Sequence, residues 1–254
     1  MLGVAIARGA RLPKRPELWH VVLSGILILG VGNGCLTFAE LVVPSGLASL
    51  ITTLSPFWLV GIETLMPGGE RLHPPTIVGM IIGCIGVALL VSGGMGSGEF
   101  DRTALGGFLI LQLGSASWCF GSIYQRRRKV DAHPVVVGAV QQVAAGLAAL
   151  PFATFSSHHI QWTAGGVAAL FYLVFFGSIV GYSAYAYALD KLPVAVVSIY
   201  SYVNSVVAVA LGWLFYREPF GLREASAMAV IFAGVALVKW QSGRTALAKM
   251  EVEA

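Results

Sequence analysis

Long apolar runs decide what this chain can fold into. Stretches at 18–39, 46–66, 75–93, 105–125, 134–154, 166–189, 194–215 and 222–241 are each close to the roughly 20 residues a helix needs to cross the hydrocarbon core of a bilayer. Lipid offers a peptide group no hydrogen-bond partner, so each run is expected to be a helix that pairs its own backbone. The alternating ten-residue pattern of a membrane barrel is absent. In the last run only 225–238 is free of charge, so Lys239 is expected to reach back to the interface. Composition agrees: 11% of residues are charged and 57% hydrophobic, whereas soluble domains carry about 25% charge. So few charges cannot cover a core in water. The expected fold class is all-α, a polytopic transmembrane helix bundle of about eight spans in a cell (inner or plasma) membrane, with the lipid bilayer as its first partner.

The 16 Lys and Arg residues are unevenly placed. Alternate connections, starting at the N-terminus, hold Arg8, Arg11, Lys14, Arg15, Arg71, Arg126, Arg127, Arg128, Lys129, Lys191, Lys239, Arg244 and Lys249. The others hold only Arg102, Arg217 and Arg223. The positive-inside rule then puts both termini in the cytoplasm. The Arg126–Lys129 run is expected to be a topology signal beside a helix end, a lipid or nucleic-acid patch being the other reading, and no nucleic-acid partner is expected. The three cysteines, Cys35, Cys84 and Cys119, lie in apolar runs without CxxC spacing and read as packing residues. The opening MLGVAIARGA is too short for a secretory signal.

The chain also repeats itself. At an offset of 149, PSGLASLITTLSPFW (44–58) lies over PVAVVSIYSYVNSVV (193–207), so that Pro44 meets Pro193, Ser49 meets Ser198, Thr52 meets Ser201 and Gly32 meets Gly181. After a one-residue slip GVALL (86–90) lies over GVALV (234–238), and Glu70 over Glu218. The division is 1–98, with three spans, and 99–254, with five spans and a cytoplasmic tail. Projected back by the offset, the first copy would begin about 44 residues before Met1, room for two more helices, so the sequence predicts an incomplete first copy of a ten-helix ancestor. Five spans is an odd number, so the copies would enter the membrane from opposite sides as inverted repeats. That arrangement recurs in secondary transporters, with the substrate site near the midplane.

The stretch VPSGLASLITTLSPFW, followed by GERL at 69–72 and IGVALLVSGG at 85–94, resembles the EamA-type drug/metabolite transporter superfamily. So does LPVAVVSIYSYVNSVVAVALGWLFYREPFG followed by FAGVALV. The resemblance implies ten helices in two inverted five-helix repeats, and often the export of amino acids or related metabolites. The sequence departs from that pattern where the first two helices would stand, at Ser205 in place of the first copy's Pro56, and at Glu63 inside the second span.

No GxSxG, HExxH or phosphate loop is present, so neither catalytic residues, metal nor cofactor is expected; His158 and His159 read as a solvated turn. Polar residues inside spans are more informative, because each is costly in hydrocarbon unless paired or facing water. Ser49, Thr52 and Pro56 share a face of the second span, and Ser198, Ser201 and Ser205 repeat that pattern in the seventh, with Tyr202 and Asn204 beside them. Asn33 and Thr37 lie one turn apart, Tyr182 and Tyr185 lie together, and Trp118 sits between Ser115 and Ser122. The expected substrate-binding set is therefore Asn33, Thr37, Thr52, Trp118, Tyr182, Tyr185, Ser201, Tyr202 and Asn204. Close helix packing is the competing account of the smaller ones. Gly30/Gly34, Gly79/Gly83 and Gly177/Gly181 have GxxxG spacing, and Pro56 could free carbonyls toward a cavity or simply fix a kink. Glu40, Glu63, Glu70 and Glu218 sit near span ends, where solvation or capping accounts for them.

The expected function is secondary transport, by alternating access between inverted repeats, of a small neutral, zwitterionic or amphipathic organic solute. Export of amino acids or related metabolites is what the resemblance adds. The other reading is a truncated, non-transporting membrane protein or assembly partner. A homo-oligomer is left open.

Overall fold

The computed structural model describes residues 11–67, 74–91, 102–128, 130–155, 162–191, 200–217, 221–222, 225–237 and 240. Among these, every regular element is helical. In chain order they are α1 (Arg15–Ala39), α2 (Ser45–Thr52), α3 (Ser55–Leu65), α4 (Pro74–Val91), α5 (Arg102–Arg127), α6 (Pro134–Phe155), α7 (Ala164–Lys191), α8 (Tyr200–Tyr216) and α9 (Ala225–Leu237). With α2 and α3 counted as one bent span, they fall on the eight predicted segments. Five of the helical runs are long and apolar enough to cross a membrane, and three shorter apolar helices lie in the third, seventh and eighth segments. The surface is correspondingly apolar: on α7, Phe171, Tyr172, Phe175 and Phe176 are all more than half exposed. In water such a face would drive aggregation; in lipid it is solvated. Glu70, Arg71, His158, His159, Ser198, Glu218 and Lys239 lie outside the described residues.

Two compact units form, each taking segments from both sides of the 98/99 boundary. The first comprises residues 1–31 and 121–197, the second 32–120 and 198–254.

In the first unit the start of α1 packs on α6, and α6 on the last part of α7. Helices in lipid gain nothing from burying apolar surface against one another, so close approach and polar contacts hold them together. Gly25 permits the α1–α6 crossing: a Cβ there would lie 2.6 Å from Gln141 Cα. The end of α5 meets α1 in the same way, Gly121 lying against Leu27 and Ile28. One end of the unit is laced by polar contacts. Glu17 caps α1 by accepting from the Lys14 amide (2.7 Å) and also accepts from the Asp131 amide (3.3 Å). Arg11 pairs with Asp131 at 2.5 Å, and the His133 amide donates to the Arg11 carbonyl (3.3 Å). The N-terminal segment and the α5–α6 connection therefore share one end, as the charge distribution expected.

In the second unit α2 packs on α8. Leu50, Leu54 and Phe57 bury against Val209 and against Ala227, Ile231 and Val235 of α9. A neighbouring cluster joins Ala39 and Val43 to Ala48, Ile51 and Leu111. Of the three GxxxG pairs, Gly79/Gly83 makes the tightest crossing: a Cβ on Gly234 of α9 would lie 2.5 Å from Gly83 N and 2.6 Å from Gly79 O. Gly34 and Gly177 face open space.

The bend between α2 and α3 falls at Thr53 and Leu54, just ahead of Pro56, which lacks an N–H. The carbonyls around it are not left for a cavity. Ser49 O accepts from the hydroxyls of Thr52 (2.8 Å) and Thr53 (3.0 Å), Thr52 O from the Ser55 hydroxyl, and Ser55 O from Cys119 Sγ (3.2 Å).

The glycine contacts give a direct test. Gly234→Ala should lower the stability of the detergent-solubilised protein by about 1–3 kcal/mol, because only backbone stands in the way of the new methyl. Gly34→Ala should leave the thermal unfolding midpoint unchanged.

Candidate functional site

A polar node lies in the interior of the first unit. Gln141 interrupts the apolar run VVVGAVQQVAAGL of α6, and its side chain is fully buried. A buried amide needs partners on both its oxygen and its nitrogen. Gln141 Nε2 donates to Ser24 Oγ of α1 and to Gln125 Oε1 of α5, each at 2.8 Å. Tyr182 of α7 donates its hydroxyl to Gln141 Oε1 at 2.9 Å. Four helices thus each contribute one side chain to a single neutral network.

The aromatic pair continues the node. The Tyr182 and Tyr185 rings lie 5.8 Å apart, and the Tyr185 hydroxyl bonds Ser122 Oγ at 2.8 Å. Gly138 of α6 faces Tyr182, whose ring lies at van der Waals distance, 3.6 Å, from where a Cβ would stand. On the same helix as Gln141, Gln142 donates to the Ser178 carbonyl (2.9 Å) in the π-helical stretch Leu173–Gly181, where the widened ladder leaves carbonyls to be satisfied by side chains.

A cavity of about 460 Å³ opens beside the node, within the size range of small-ligand pockets. Ser24 and Gln125 of the node line it, together with His20, Arg126, Arg128 and Asp190. Its charged residues belong to the end of the unit that carries the N-terminal segment. His20 Nδ1 meets the Tyr124 hydroxyl, and Arg126 donates to the Leu189 carbonyl that ends α7 (3.2 Å). Among the described residues no group of three His, Cys, Asp or Glu side chains is placed to hold a metal.

The predicted set divides between the units. Tyr182 and Tyr185 come together as expected, in the first. Asn33, Thr37, Thr52, Trp118 and Asn204 belong to the second. There Asn33, Thr37 and Asn204 are exposed, Trp118 is half-buried, and Thr52 spends its hydroxyl on its own helix. The side chains of Ser201, Tyr202 and Ser205 lie outside the described residues, although α8 carries their backbone. Gln141, Gln125 and Ser24 were missed. An amide inside an otherwise apolar span was the available signal.

The second unit holds another polar feature on α5. Trp58 donates its indole N–H to Gln112 Oε1 (2.8 Å). Gln112 Nε2 and, one turn on, Ser115 Oγ are buried with no hydrogen-bond partner among the described residues.

Residues 1–92 and 105–240 match the EamA-like transporter family. The chain is also 35% identical over 241 residues to YedA, named an uncharacterized inner membrane transporter of Escherichia coli strain K12, an alignment spanning 94% of this chain and 76% of the relative. The chain belongs to the EamA-like transporter family. A probable amino-acid metabolite efflux pump of Salmonella typhimurium is 23% identical over 234 residues, covering 87% of this chain and 77% of the pump. A solved crystal structure aligns with a TM-score of 0.65 at 22% identity, over 96% of this chain and 83% of its own, which is a likeness of fold. This EamA-like protein is therefore a multi-pass membrane transporter whose partners are a small-molecule substrate and the bilayer.

Two substitutions of buried polar groups should differ in their effect on its stability. Gln141→Leu orphans the Tyr182 hydroxyl and Gln125 and should cost about 2–4 kcal/mol, read as a lower unfolding midpoint in detergent. Ser115→Ala removes an unpaired buried hydroxyl, so it should leave the midpoint unchanged or raise it.

Proposed function

We propose that this EamA-like transporter is a secondary exporter of small neutral or zwitterionic organic metabolites, amino acids or related compounds among them. The observation that carries the reading is the node of Ser24, Gln125, Gln141 and Tyr182 beside a cavity. Its groups are neutral donors and acceptors, so they can exchange partners with a polar solute without stranding a charge in hydrocarbon. The paired Tyr182 and Tyr185 rings act behind the cavity lining, Tyr182 holding the node through its hydroxyl bond to Gln141. The efflux function named for the Salmonella relative supports the direction and the substrate class.

The mechanism in this reading is alternating access between inverted repeats divided near residue 98, with both termini cytoplasmic. Two π-helical stretches support the repeat. Ile26–Asn33 shifted by the offset of 149 covers 175–182, which overlaps Leu173–Gly181. The remaining predicted residues, Asn33, Thr37, Thr52, Trp118, Ser201, Tyr202 and Asn204, are assigned to the solute path of the second unit.

Liposomes carrying the purified chain, loaded with or bathed in radiolabelled leucine, threonine and phenylalanine, provide the test. Saturable flux is expected, with Tyr182→Phe and Tyr185→Phe each lowering it several-fold while protein yield and helicity are kept. Flux equal to that of empty liposomes across such a panel would reject transport of these compounds by this polypeptide.

A further inference from the structure

The mouth of the 460 Å³ cavity has a charge pattern that the neutral node does not explain. Three basic side chains line it, His20, Arg126 and Arg128, against one acid, Asp190. Asp190 is already engaged, its carboxylate 3.0 Å from Lys191 Nζ. The other acid at this end, Asp131, pairs with Arg11 and is not part of the lining.

The geometry of the bases matters as much as their number. Arg128 lies over the Tyr124 ring, 5.9 Å from its centroid. A guanidinium stacked on a ring keeps its in-plane N–H fork for a ligand, and that fork matches the spacing of phosphate oxygens. Tyr124 in turn holds His20 by Nδ1, which leaves the Nε2 edge of the imidazole for another partner. One tyrosine therefore orients two of the three basic groups.

The depth of the mouth is set by its neighbours. Trp19, beside His20 on α1, is 65% exposed, and Leu12 and Leu18 are exposed as well. An indole at a helix end beside charged residues marks the membrane–water interface. Basic pockets between transmembrane helices at that depth suit anionic headgroups.

We infer that this mouth is a phosphate-binding site, formed by Arg126, Arg128 and His20, that accepts the headgroup phosphate of an anionic lipid or a soluble phosphate group. The site is separate from solute transport in its test, because binding is read without flux.

The whole chain is reconstituted in nanodiscs of mixed phosphatidylglycerol and phosphatidylcholine, released, and its co-purifying lipid measured by native mass spectrometry. The wild type should retain phosphatidylglycerol over phosphatidylcholine. Arg128→Gln should cut that preference about fivefold, the effect of one basic residue worth ~1 kcal/mol. Arg128→Lys, which keeps the charge, should retain much of it. Arg15→Gln, at the same end but outside the lining, should change it little. If Arg15→Gln and Arg128→Gln lower the preference equally, the attraction is diffuse surface charge and the site is refuted. Absence of any preference in the wild type refutes the lipid source. In that case inorganic phosphate must raise the unfolding midpoint of the wild type more than that of Arg128→Gln; equal shifts, or none, end the proposal.

Discussion

A peptide group in hydrocarbon must find its hydrogen bond within the protein, and the rest of this structure depends on that constraint. It makes every regular element described here a helix, and so leaves the backbone little say in which helix meets which. Burying apolar surface does not choose either, since lipid tails are as apolar as leucine. Two devices remain. One is backbone-to-backbone approach at glycine, as where Gly234 meets Gly79 and Gly83, or Gly25 meets Gln141. The other is a polar side chain that must be paired, as where Gln141 gathers Ser24, Gln125 and Tyr182. At the α1–α6 crossing the two devices coincide: the missing side chain of Gly25 is what lets α1 pass so close to Gln141.

This division explains what the sequence disclosed. Span length and apolarity are properties of one segment at a time, so the eight helical runs were legible from the runs themselves. The shared end of Arg11 and Asp131 was legible too, because charge placement follows loop parity. Tyr182 and Tyr185 were found as neighbours because one helical turn separates them. The partners of Tyr182 were not, since nothing local to 182 points to Gln141, 41 residues earlier. Gln141 and Gln142 both stand out in their apolar run, but which of the two turns inward, and onto which partners, is decided by the neighbouring helices. Glycine spacing could not choose for a related reason: Gly30/Gly34 and Gly79/Gly83 look alike in sequence, and only the neighbouring helix distinguishes them.

The bend ahead of Pro56 shows how the same constraint is met where a helix is interrupted. The Ser55 hydroxyl takes the Thr52 carbonyl that Pro56, without an N–H, cannot, while the hydroxyls of Thr52 and Thr53 add to the Ser49 carbonyl and the Cys119 thiol to that of Ser55. Residues that looked like a cavity-lining stripe are therefore partly committed to their own backbone. Thr52 Oγ1 can still accept from a solute, but it can donate to one only by giving up its bond to Ser49. A hydroxyl–carbonyl bond in lipid is worth about 1 kcal/mol, so that exchange is small enough to be reversed by a solute oxygen.

The first unit separates neutral from charged chemistry along its depth, and desolvation gives the reason. An unpaired charge at the level of Gln141 would be penalised far more than an amide or a phenol, whereas at the level of Trp19 water and headgroups still reach it. Arg126 and Arg128 can therefore stand at the mouth at little cost, and the groups deeper in are those that rearrange without changing charge. In the proposed transport reading, a solute reaching the node would exchange water for neutral donors and acceptors alone, which suits molecules that can shed or internally balance their charge and not those that carry a net charge through.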